Sequence, residues 1–153
     1  MKTSIKTFLM ALFLVCIQEI ALAQPIDDKS MVLQKCFDLP DLQQYYPVDE
    51  AGNPSQIYVM EYPLAFSPDL NVSKFDKQVI FMSREDIISN KVEAYFIFRI
   101  MDISERLAKV SINYFYDFDY ATQQSKLVMV NLEMDKAGTA WELTNINVKG
   151  DTK

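Results

Sequence analysis

The chain has 153 residues with 15 Lys and Arg against 21 Asp and Glu, a formal charge of −6, half of its residues hydrophobic and no histidine. An acidic chain without a cluster of Lys and Arg is a poor partner for nucleic acid or an anionic membrane, since phosphate binding needs clustered cations. The missing histidine removes the commonest general base, the commonest zinc ligand and every His-dependent triad, so no cofactor, metal site or catalytic constellation is expected.

Residues 1–23 read as a secretory signal peptide. Lys2 and Lys6 supply the basic start, residues 8–17 an apolar run too short to span a bilayer, and Ala21-Leu22-Ala23 the small-x-small triplet a signal peptidase cuts. Export to the periplasm or the extracellular space is therefore expected. Removing 23 of the 153 residues leaves 130, the size of one domain (24–153), with thirteen basic against twenty acidic side chains. Cys36 is then the single cysteine, flanked by Val32, Leu33 and Phe37, and reads as a buried thiol. Nothing after Ala23 has the length and apolarity of a transmembrane helix.

Asp28 or Ser30 caps a short helix carrying Val32, Leu33, Cys36 and Phe37 at helical spacing. Pro40 opens a second, with Leu42, Tyr45 and Tyr46, which Pro47 ends. A loop over 50–54 leads to strands at 57–62 and 78–82, separated by a segment holding Pro63, Pro68 and Asn71. Asn71-Val72-Ser73 matches a glycosylation acceptor in a eukaryotic secretory route. Ser83-Arg84-Glu85-Asp86 is a capping pattern for a two-turn helix through Ile87 and Ile88.

Four strands follow. Val92, Ala94, Phe96, Phe98 and Ile100 alternate, with Tyr95, Ile97 and Met101 off-phase. Ala108, Val110, Ile112, Tyr114, Tyr116 and Phe118 alternate with polar residues, as do Val128, Val130, Leu132 and Met134. Asp135-Lys136-Ala137-Gly138-Thr139 is a hairpin turn, with Gly138 at a positive φ. In the last strand Trp141 and Leu143 hold one phase and Ile146 and Val148 the other. A bulge at Thr144-Asn145 restores one apolar face and bends the sheet. Short connections make these four strands a meander.

Two constellations invite chemistry. Asp117 with Asp119, and Glu133 with Asp135, line up acids as for a hard cation, but without the wrapping loop calcium needs they read as solvated outer-face carboxylates. The density of aromatics reads first as core and cross-strand pairs, and second as an apolar pocket with a few phenol hydroxyls, lined by Phe96, Phe98, Tyr114 and Tyr116 with Trp141 beside them. A lone carboxylate such as Asp102 or Glu105 is not a motif.

The order of two helices, two strands, a helix and a four-strand meander resembles the NTF2-like (cystatin-like) superfamily, as does the closing strand Trp141-Glu142-Leu143-Thr144-Asn145-Ile146-Asn147-Val148 after the Gly138 turn. The resemblance implies an α+β domain in which a curved antiparallel sheet, ending in a C-terminal four-strand meander, packs on short N-terminal helices. The first helix is shorter than that family's pocket-lining helix, and without histidine the Asp/His pair of its isomerase-like members is absent. The expectation is an exported non-catalytic domain that binds a small apolar ligand or a protein partner through its curved sheet, with a homodimer through the sheet left open. The alternatives are an interaction module with a filled core, or a carboxylate-dependent enzyme.

Overall fold

The computed structural model describes residues 27–150; the expected signal peptide, 1–23, lies outside the described residues. The chain is α+β, with short helices followed by a large, mostly antiparallel sheet. Helix α1 (Asp28–Phe37) is capped by Asp27, whose carboxylate accepts from the Lys29 N–H at 2.7 Å, one residue ahead of the expected cap. Its buried apolar residues, Val32, Leu33, Cys36 and Phe37, are those of the helical pattern. Helix α2 (Pro40–Gln43) opens on Pro40 as its sequence dictates.

Strand β1 (Tyr58–Met60) follows. The expected strand over 78–82 is two strands. Its start, β3 (Lys77–Gln78), pairs with β2 (Ser73–Lys74) in a hairpin turned by Phe75 and Asp76 at φ 55° and 59°, and its end, β4 (Ile80–Met82), joins the main sheet. Ser83 caps α3 (Arg84–Ser89), its Oγ accepting from the Asp86 N–H at 3.1 Å. The meander is β5 (Tyr95–Ile103), β6 (Leu107–Asp119), β7 (Gln124–Ala137) and β8 (Ala140–Gly150).

The six strands run in the order β4-β1-β5-β6-β7-β8. The meander is antiparallel throughout, whereas β1 lies parallel to both β4 and β5, which corrects the expectation of a wholly antiparallel sheet. Both parallel contacts rest on crossovers: residues 61–79 return the chain from β1 to β4, and helix α3 carries it from β4 past β1 to β5.

Each meander ladder carries one register shift. The one in β8 lies where the apolar phase slips: Asn145 opposes Glu133, Leu143 opposes Met134, and Thr144 is the extra residue. Another, between Phe98 and Ile100, corrects the reading of β5. Past the bulge Met101 and Ile103 pack on the main core, while Ile100 is 54 % exposed. A third, between Tyr116 and Asp119, takes Phe118 off the core face, where it packs on Tyr120 with ring centroids 4.6 Å apart.

The main core joins α1 and α2 to one face of the sheet, through Leu33, Phe37, Leu42, Ile112, Val130 and their neighbours. A smaller cluster gathers Met60, Ile87, Val92 and Tyr95, with Ile97 and Phe115 packed against it; alternation along β1 and β5 puts it on the other face, under α3. Among the described residues no helix is long and apolar enough to cross a membrane.

Candidate functional site: a groove on the outer face of the sheet

Phe96, Phe98, Tyr114 and Tyr116 do come together, and each is at most 2 % exposed. Phe96 stacks on Tyr114 with centroids 4.3 Å apart, and Tyr114 on Tyr116 at 5.9 Å. Phe37 of α1 meets Phe96 and Phe98 edge-on at 5.1 and 5.9 Å, Tyr46 meets Tyr114 at 5.7 Å, and Tyr45 covers Tyr116 at 5.3 Å. These separations are those of packed aromatic pairs. The Tyr46 hydroxyl donates to the Phe37 carbonyl at 2.8 Å, and burial pushes the phenols of Tyr46 and Tyr114 well above their ordinary range. Trp141 belongs to the same core but is held elsewhere in it, its Nε1 donating to Asp28 Oδ1 at 3.1 Å. None of the five borders the surface grooves described next. What they line is the hydrophobic core.

The largest of these grooves, about 740 Å³, lies over the outer face of β1 and β4. Tyr58, Ile80 and Met82 give it an apolar floor; its walls are the loop at 47–56 and the turn at 90–94, which adds Val92 and Ala94. Both walls are built by local rules. Asp49 accepts from the Ala51 and Asn53 N–H groups at 2.9 and 2.8 Å, which folds the loop and holds the Asp49 carboxyl below the usual range. Lys77 Nζ ties the loop to β3 through the Pro54 carbonyl at 2.8 Å.

On the opposite wall Lys91 ends α3 at φ 50°, its N–H reaching the Ile88 carbonyl and that of Val92 the Ile87 carbonyl. This is a helix stop at which glycine is the usual residue. Asp117, φ 52°, sits at the bulge of β6 beside it, paired with Lys126 at 2.6 Å, and the next N–H, of Phe118, bonds the Glu93 carbonyl at 3.0 Å. Two non-glycine residues in left-handed backbone thus flank one groove, carrying charges of opposite sign. A second hollow of about 480 Å³, lined by Lys91, Glu93, Asp117 and Tyr120, shares this wall.

Toward β8 the outer face of the meander carries polar rows. Ser111, Asn131 and Asn147 form one cross-strand row, and Lys109, Glu133 and Asn145 the next, with Lys109 and Glu133 paired at 3.0 Å. The acids considered for a cation are accounted for differently: Glu133 and Asp117 pair with lysines, and Asp119 accepts from the Ala121 N–H and the Thr122 hydroxyl, which folds its own turn. Among the described residues no three Cys, Asp or Glu side chains gather as metal ligands.

Sequence reasoning does not find the groove, because its residues come from separate segments that only the fold brings together. The one local signal is the cluster of Pro47, Gly52 and Pro54, which marks a loop without saying what it faces. Comparison with family models, with curated proteins and with solved structures gives no match.

Proposed function

We propose that the chain is an exported, non-catalytic binding domain of NTF2-like (cystatin-like) character that takes a protein partner in the outer-face groove over β1 and β4. The observation that carries the reading is the contrast between a filled interior and an open groove on the outer face. The inside of the sheet is occupied by the rings of Phe37, Tyr46, Phe96, Phe98 and Tyr114, which favours a partner on the outside over a small ligand within. The groove combines an apolar floor with rim charges of both signs, the composition of a surface that docks polypeptide. Its left-handed residues at Lys91 and Asp117 carry backbone strain of the kind that gathers at binding sites.

The non-catalytic part rests on the roles of the carboxylates. A general acid needs a raised pKa, and the Asp49 carboxyl at this rim is held low by the hydrogen bonds that fold its loop. Export rests on the basic start, apolar run and cleavage triplet of residues 1–23.

The test is a photo-cross-linking amino acid placed at Ile80, which is 39 % exposed on the groove floor, in protein expressed in its native host. A discrete covalent adduct with another protein is expected from Ile80, lost when Lys91→Glu is added and absent when the same group replaces exposed Thr122. Equal labelling from both positions, or none from Ile80, contradicts the proposal.

A further inference from the structure

Strand β8 is an edge: among the described residues it pairs with β7 alone, through ten of its eleven residues. Natural edges are kept short, or carry charge along their length, because an open edge templates another strand. This edge has charge only near its ends, Glu142 and Lys149, both exposed and of opposite sign. Between them Leu143 is 43 % exposed, and Ile146 and Val148 are half-buried against the core.

Thr144 is the extra residue of the bulge, so the paired positions run Glu142, Leu143, Asn145, Ile146, Asn147, Val148, Lys149. That series is complementary to its own reverse. We propose that β8 pairs antiparallel with β8 of a second copy of this chain about a two-fold axis at Ile146, joining two six-stranded sheets into one. Glu142 then faces Lys149 twice, Leu143 faces Val148 twice, Asn145 faces Asn147 twice, and Ile146 meets its own copy. Every pair joins residues of one sheet face, as antiparallel pairing demands, and the contact is isologous.

Other registers fail. A shift of one position sets core-face residues against outer-face ones. A shift of two positions separates Glu142 from Lys149 in both pairs. A further observation points the same way: on its own β7, Glu142 stands opposite Asp135, a like-charge pair that destabilises a ladder. A lysine arriving from the other side of Glu142 offsets that repulsion. This interface involves neither the groove nor its occupant, so it stands or falls separately from the function proposed above.

The test is sedimentation equilibrium of the purified protein at low salt, with E142K, K149E and the double variant E142K/K149E. Reversible dimers are expected, weakened at least tenfold by either single reversal, which sets like charges opposite each other twice, and restored by the double variant. Both side chains are exposed, and E142K meets Asp135 favourably within its own copy, so thermal unfolding should show the fold intact in all three. A monomer at all concentrations overturns the proposal. So does a dimer whose affinity is the same in all three variants, since its interface then lies elsewhere.

Discussion

Trp141 is the one tryptophan of the chain, 1 % exposed, and it fastens the C-terminal hairpin to the first helix. Asp28, at the start of α1, takes both the indole N–H and Lys136 Nζ, the latter at 2.6 Å, while the same ammonium lies 5.5 Å from the indole centroid. A carboxylate at a helix N-terminus is favoured by the exposed N–H groups there, and here it also bridges to β7 and β8. The burial of Trp141 was legible from its phase in the strand; its tie to Asp28 was not, because the two stand 113 residues apart in sequence. Trp141→Ala should destabilise the protein by about 3–5 kcal/mol, as large-to-small core changes do. Urea unfolding followed by circular dichroism checks this, and a loss under about 1 kcal/mol would mean that the indole is not a core anchor.

Elements differ in how much of themselves they show in sequence. The meander strands are long enough for period-two alternation to register, so β6 and β7 were legible almost residue by residue, and the slip in β8 announced its bulge. The bulges in β5 and β6 were not legible: Ile100 and Met101 are both apolar, which masks the phase change in β5, and Asp117-Phe118-Asp119 keeps a period-two pattern although Phe118 leaves the core face. Strands of two or three residues, such as β2, β3 and β4, are too short for any period, and the β2–β3 turn uses Phe75 and Asp76 where glycine would have signalled it. The same substitution of side chain for glycine occurs at Lys91, where α3 stops. Holding an L-residue left-handed costs about 1 kcal/mol, so Lys91→Gly should raise stability by about that amount. Thermal unfolding measures it, and destabilisation would show that the Lys91 side chain holds the wall of the groove.

For the whole molecule, titration and binding both follow from what is buried. Asp28, Asp49 and Asp119 have carboxyls held below the usual range: Asp28 mainly by its bond from Lys136, Asp49 by the Asn53 N–H, and Asp119 by the Thr122 hydroxyl. A depressed folded pKa gives stability that is complete above about pH 4 and lost as pH falls through the folded values. Burial raises Tyr46, Tyr114 and Cys36, and those groups give stability that is complete below their unfolded values and lost as pH climbs from about 8.5 past 10. Unfolding free energies should therefore form a plateau between these limits and fall on either side. A maximum at pH 10 or above would contradict the burial of the phenols.

The sheet keeps a filled core on one face and, on the other, the groove proposed to bind a partner. This arrangement is tested most directly by nuclear magnetic resonance of labelled protein titrated with a panel of small aromatic and aliphatic amides, which mimic partner side chains. Fast-exchange shifts confined to residues of the groove, Tyr58, Ile80, Met82, Lys91 and Val92 among them, are expected. Slow-exchange shifts centred on Phe96, Phe98, Tyr114, Tyr116 and Trp141, with the groove signals unmoved, would show a ligand inside the core and contradict it.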